Sequence, residues 1–120
     1  MADSRIDGFA AEVIYGDRGA VVVVLGEVDL VTGSAFRAAL DDALDGSVRV
    51  EVDLRDTLFM DSCGVAALLA VHRRLGQAHE ALVLRDPSPE VRLLLDVSGV
   101  ARLVDIRSDA ARTRGAGDRP

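Results

Sequence analysis

Residues 48–54 read Val-Arg-Val-Glu-Val-Asp-Leu, a strict alternation of apolar and charged side chains. Side chains of a β-strand point alternately to its two faces, so this stretch predicts a strand with one face buried in the core. Upstream, residues 32–45 carry Phe36, Leu40 and Leu44 at the spacing of one helix face. An amphipathic helix followed directly by a half-buried strand is typical of a sheet with helices packed against it.

The rest of the chain extends this pattern in both directions. Residues 9–15 and 20–25 are predicted strands of one hairpin, residues 26–29 are predicted to leave the sheet, and residues 55–60 are predicted to form a loop. A second helix is expected from residues 61–64 to Gly76, a third from the N-cap Ser88 to residues 98–99, and further strands at 81–84 and 103–106. The predicted order is β-β-α-β-α-β-α-β, with room for a final short helix after Ser108. This order predicts an α/β fold with a mixed, mainly parallel sheet.

Composition bounds both size and chemistry. The 120 residues predict a single domain over 1–120, with an ordered core at about 9–107 and a frayed C-terminal tail. Hydrophobic residues make up 49% of the chain but aromatic residues only 3%, so aliphatic side chains must build the core. All basic residues are Arg, which excludes a P-loop lysine and Schiff-base chemistry. The net charge of -6 argues against nucleic acid as the main ligand.

Cysteine usage and hydropathy bear on the compartment. A single cysteine, Cys63, offers no intramolecular disulfide, and the N-terminus lacks the pattern of a signal peptide. No apolar run approaches the ~18 residues of a membrane span. We therefore expect a cytoplasmic protein that does not associate with membranes.

Ser62 is the main candidate functional residue, because it lies at the predicted start of the second helix. Either its hydroxyl or the carboxylate of Asp61 can cap that helix. Catalysis by Ser62 or Cys63 lacks a base, since His72 lies ten residues into the same helix, roughly 15 Å away. His72 and His79 also lack a matched carboxylate cluster for a metal. We expect no enzymatic activity, no cofactor and no metal; a phosphoacceptor role for Ser62 is compatible with its position.

Three segments resemble the anti-sigma factor antagonists of the bacterial STAS-domain family. Residues 59–65, Phe-Met-Asp-Ser-Cys-Gly-Val, are similar to the family's phosphorylation motif. Residues 25–29, Leu-Gly-Glu-Val-Asp, resemble the segment after its second strand, and residues 91–100 resemble its third helix and following turn. The three matches occur in the family's order and cover roughly residues 9 to 107.

The resemblance implies a partner-switching mechanism in bacterial transcription regulation. The unphosphorylated domain would bind an anti-sigma factor with serine kinase activity and so release the sigma factor. Phosphorylation of the serine matching Ser62 would end binding, and a PP2C-type phosphatase would reverse it. The implied partner surface comprises Gly26, Glu27, Asp29, Asp61, Ser62, Cys63 and Gly64.

Two alternatives to this function remain open. One is a STAS domain outside sigma-factor control, a scaffold or a transport-accessory subunit, because a fold does not fix a function. The other is a small hydrolase that uses Ser62 or Cys63, which the missing base disfavours. We also expect small residues at Cys63 and Gly64 to keep the approach to Ser62 open.

Overall fold

The computed structural model describes residues 3–6, 8–17, 19–76 and 81–108. Within them lie seven strands and four helices. In chain order they are β1 (Asp3–Ile6), β2 (Phe9–Tyr15), β3 (Gly19–Val28), α1 (Gly33–Leu44), β4 (Arg49–Asp53), β5 (Thr57–Met60), α2 (Ser62–Arg74), β6 (Leu82–Arg85), α3 (Pro89–Ser98), α4 (Val100–Leu103) and β7 (Asp105–Arg107).

The strands form one mixed sheet in the order β1-β2-β3-β4-β6-β7. The β1/β2 and β2/β3 pairs are antiparallel, whereas β3/β4, β4/β6 and β6/β7 are parallel. Strand β5 also pairs with β3 in parallel, alongside the part of β3 that extends beyond β4. The α/β class and the mainly parallel sheet predicted from the sequence are confirmed.

The core lies on one face of the sheet, against the helices. The alternating strand residues Val22, Val24, Val50 and Val52 are fully buried with helix residues such as Leu68. Strands β3, β4, β6 and β7 follow one another across the sheet in chain order. Because crossovers between parallel strands are right-handed, the helices that connect these strands lie on the same face of the sheet. The opposite face carries an ion pair in which Arg85 Nε donates to Glu51 Oε1 at 2.6 Å.

Several local predictions were wrong. Segment 26–29 does not leave the sheet at once, because β3 continues through Val28 with Gly26 in a left-handed conformation at φ +95°. Residues 57–60 form β5 instead of a loop. Residues 100–103 form a helical turn, so the last strand starts at Asp105, and β1 precedes the predicted hairpin.

Other predictions at the helix ends are confirmed or cannot be compared. Ser88 caps α3 by accepting a hydrogen bond from the Val91 backbone N–H at 3.2 Å, and Pro89 is the first residue of the helix. His79 and the final helix expected after Ser108 fall outside the described residues. No helix of the described ranges has the length and apolar character needed to cross a membrane.

Candidate functional site

The site lies where β3 and β5 end side by side. Val28 pairs with Met60 in the parallel ladder, and the backbone N–H of Asp61 donates to the Val28 carbonyl at 3.0 Å. Asp29 and Asp61 therefore leave the sheet at adjacent points. The carboxyl ends of parallel strands are where α/β sheets commonly place their binding sites.

Asp61, not Ser62, is the N-cap of α2. Its Oδ1 accepts a hydrogen bond from the Cys63 backbone N–H at 2.8 Å, while its backbone is extended. The sequence left open which of the two side chains caps the helix, and the geometry assigns the cap to the carboxylate. Ser62 is thereby freed from the structural role that serines at helix starts usually have.

Ser62 is the first residue of α2 and is exposed to solvent. Among the described residues, its hydroxyl has no hydrogen-bond partner. A hydroxyl in this position is accessible to an enzyme that modifies it. The dipole of the helix favours added negative charge at this end, whereas the neighbouring carboxylates oppose it.

The loop between β3 and α1 is fixed by Asp29 and Thr32. Oδ1 of Asp29 accepts hydrogen bonds from the backbone N–H groups of Val31 at 2.9 Å and Thr32 at 3.0 Å. The buried Thr32 hydroxyl donates to the Glu27 carbonyl at 2.7 Å and accepts from the Asp29 backbone N–H at 2.9 Å. We call this reciprocal set of bonds the Asp29–Thr32 clasp.

The clasp also lowers the pKa of Asp29. The Thr32 backbone N–H holds the pKa of Asp29 below its ordinary value, against an opposing effect of burial. The Thr32 hydroxyl and the Val31 backbone N–H act in the same direction. Asp29 therefore remains a carboxylate to a lower pH than an ordinary aspartate does.

The first turns of α1 and α2 touch each other beside Ser62. A Cβ placed on Gly33 would lie 3.2 Å from Cβ of Cys63. Gly64 is buried, and a Cβ there would meet Cγ of Met60, with Sδ of Met60 at 2.8 Å and Cγ1 of Val28 at 3.1 Å. The small residues thus allow close packing of α2 on the strand ends, and Gly64 acts inside the domain instead of on the approach to Ser62.

Nucleophilic chemistry has no support in this geometry. Burial, followed by the charge of Asp61, raises the pKa of the Cys63 thiol, so its thiolate is disfavoured. His72 is buried in the last turns of α2, and its Nδ1 has no hydrogen-bond partner in the described part of the chain. No group of three or more metal-binding side chains occurs within the residues that the structure describes.

Gly26 and Glu27 lie on the last part of β3, opposite β5. Gly26 pairs with Thr57 and Glu27 with Phe59, so Leu58 is an extra residue in a β-bulge. The bulge breaks the alternation of β5 and turns both Leu58 and Phe59 towards solvent. Gly26 is required here because a Cβ would collide with the Gly8 carbonyl oxygen.

A groove of about 460 Å³ separates the β3–α1 loop from the β5 bulge. Val31 and Leu58 line its walls together with Glu27, Asp29, Thr32 and Gly8. The partner surface predicted from the sequence includes Glu27, Asp29, Asp61 and Ser62, which the structure places at this edge of the sheet. It does not include Thr32. The spacing of Asp29 and Thr32 directly before a helix is the signal that could have identified the clasp.

The chain is similar to known proteins over most of its length. The family model described as "Mlab, STAS domain" matches residues 15–105. An anti-sigma F factor antagonist from Paenibacillus polymyxa is 30% identical over 92 residues, which cover 74% of this chain and 79% of the relative.

Solved structures show the same fold. An anti-sigma factor antagonist from Mycobacterium paratuberculosis is 25% identical, with a TM-score of 0.75 over 87% of this chain and 89% of that one. The anti-sigma factor antagonist SpoIIAA in its unphosphorylated form is 24% identical, with a TM-score of 0.67 over 92% of this chain and 99% of that one. The chain belongs to the STAS domain family.

Proposed function

We propose that this protein is an anti-sigma factor antagonist that works by partner switching. Unphosphorylated, it binds an anti-sigma factor with serine kinase activity and so releases the sigma factor for transcription. Phosphorylation of Ser62 ends this binding, and a PP2C-type phosphatase restores it. The chain is then a ligand and kinase substrate, not an enzyme, and acts in the cytoplasm, where sigma factors work.

The main support for the proposal is that Asp61 and not Ser62 caps α2. Asp61 caps the helix, so the exposed Ser62 hydroxyl can be phosphorylated without loss of a structural hydrogen bond. A phosphate adds roughly -1.5 to -2 charges at this point. Those charges would lie beside Asp29 and Asp61, on a surface that the partner must desolvate.

The proposed partner surface surrounds Ser62. Glu27, Asp29 and Asp61 supply its negative charge, and Cys63 lies in the first turn of α2 next to Ser62. Gly26 and Gly64 contribute indirectly. Gly26 allows β3 to pass close to the Gly8 carbonyl, and Gly64 allows α2 to pack on Met60 and Val28 at the strand ends. An acidic surface of this kind suits basic groups on the anti-sigma factor.

The test is phosphorylation of the purified chain by the purified anti-sigma factors of the parent organism, with ATP. Mass spectrometry should place a single phosphate on Ser62. Ser62→Ala should accept none yet still bind the anti-sigma factor. Ser34→Ala is the matched control, because Ser34 is also exposed in the first turn of a helix at this edge and its loss should leave phosphorylation unchanged.

Two results would contradict the role of Ser62, and a third would contradict the function as a whole. A phosphate on Ser34, or loss of binding by a folded Ser62→Ala protein, would show that Ser62 is not the switch. If no anti-sigma factor of the organism binds the unaltered chain, a STAS-domain scaffold or transport-accessory subunit becomes the better assignment.

A further inference from the structure

The β3–α1 loop begins beside the β5–α2 junction that carries Ser62, and it exposes two large aliphatic side chains. Leu30 is 83% exposed and Val31 is 71% exposed. We call this pair the loop tip. Isolated apolar residues on a surface need no explanation, but adjacent ones at a strand end next to a candidate modification site do.

The loop tip is held in place by hydrogen bonds and not by packing. Asp29 Oδ1 binds the backbone N–H of Val31, and the Thr32 hydroxyl ties the loop to the end of β3 through the Glu27 carbonyl. The Gly33 backbone N–H also donates to the Asp29 carbonyl, at 2.7 Å. The exposed side chains are therefore presented from a pre-formed backbone, which lowers the entropic cost of binding.

Across the groove, the β5 bulge presents a second apolar pair. Leu58 is 68% exposed and Phe59 is 47% exposed, and Leu58 faces the same groove as Val31. A bulge that re-aims side chains is common next to binding sites. Val31 and Leu58 line this groove together with Glu27 and Asp29, so the groove has both apolar and acidic walls.

We infer that the loop tip is the apolar anchor by which this chain selects its anti-sigma factor, and that Thr32 is the residue that positions it. Leu30 and Val31 insert into an apolar pocket of the anti-sigma factor, and that pocket is bordered by basic groups that meet Glu27 and Asp29. This inference rests on the proposed function, and it assigns partner choice to residues other than the switch residue Ser62.

Binding of the unphosphorylated protein tests the anchor. The probe is the purified anti-sigma factor that binds the unaltered chain, and its Kd is measured by calorimetry for the double variant Leu30→Ser, Val31→Ser. Burial of two aliphatic side chains accounts for a loss of affinity of at least about tenfold. Val48→Ser is the matched control, since Val48 is also 71% exposed but precedes β4 at the opposite end of the sheet. The control should change Kd less than about twofold.

A second pair of variants tests the positioning role of Thr32. Thr32→Val keeps the shape of the side chain but removes the hydroxyl, so it should weaken binding although Leu30 and Val31 are intact. Thr32→Ser keeps the hydroxyl and should bind the anti-sigma factor with the affinity of the unaltered chain. If Thr32 only filled space, Thr32→Val would bind more tightly than Thr32→Ser, because valine matches the volume of threonine better than serine does.

The outcomes separate the inference from the proposed function. If the unaltered chain binds and Ser62 is phosphorylated, but the double variant binds as tightly as the Val48→Ser control, the anchor is refuted and the proposed function stands. Loss of affinity for the double variant with Thr32→Val unaffected would refute the positioning role. Failure of the unaltered chain to bind any anti-sigma factor would overturn both.

Discussion

Replacing Gly64 with alanine should destabilise the domain even though alanine is the better helix former. Gly64 lies in the first turn of α2 and faces the ends of β3 and β5. The added Cβ would overlap Cγ of Met60 and would come within 2.8 Å of its Sδ and 3.1 Å of Cγ1 of Val28. Met60 and Val28 are buried, so neither side chain can swing out into solvent.

The expected magnitude is the difference of two opposing effects. Alanine gains about 1 kcal/mol over glycine within a helix. Insertion of a methyl group into a packed core costs about 1–3 kcal/mol, and contacts this short belong at the upper end of that range. The net loss in the free energy of unfolding is about 1–2 kcal/mol, which lowers the Tm by about 4–8 °C for a domain of this size.

Thermal unfolding followed by circular dichroism measures this loss. Ala66→Gly is the control, since Ala66 is exposed on the same helix and reports the helix preference alone. That variant should lose about 1 kcal/mol without any overlap. A Gly64→Ala protein as stable as the parent, or more stable, would refute the packing role of Gly64.

The remaining predictions concern Asp61, Asp29 and Cys63. Asp61→Ala removes the cap of α2 and should lower the free energy of unfolding, measured in urea, by about 1 kcal/mol; an unchanged value would show that the cap is dispensable. The pKa of Asp29 is lowered from 3.8, so its stabilising effect is complete above that pH and disappears as the pH falls through the lower folded value. The Tm difference between the parent and Asp29→Ala should therefore shrink in acid, and a constant difference would contradict this. Because the pKa of Cys63 is raised, its alkylation by iodoacetamide at pH 8 should be slower than that of an unfolded control, and equal rates would refute the assignment.

The sequence predicted the strands whose pattern is regular. Val50, Val52 and Leu54 alternate with charged residues, and all three are fully buried as expected. Strand β5 was not predicted because its bulge at Leu58 breaks the period of two, and its pairing with β3 is long-range. The short α4 was not predicted, and its last residue, Leu103, was assigned to the following strand, because four residues are too few to show a helical period.

At the candidate site, the sequence singled out residues that lie close together in the structure, but it did not predict their contacts. Ser62 was singled out by its place in a motif and at a helix start. Only the geometry could distinguish it from Asp61 as the cap, because both side chains can accept the same kind of hydrogen bond. Thr32 was overlooked because its function depends on the Glu27 carbonyl and the Asp29 N–H, which are backbone groups that no residue pattern displays.

The proposed switch requires that a phosphate on Ser62 lower the affinity for the anti-sigma factor. The most direct measurement is calorimetric titration of that factor with the chain before and after complete phosphorylation. Phosphorylation should reduce the binding free energy by about 3 kcal/mol, which is about two decades in Kd. The circular dichroism spectrum should stay unchanged, because the new charge lies at an exposed helix start outside the core. An unchanged Kd for protein phosphorylated on Ser62 would show that Ser62 is not a switch.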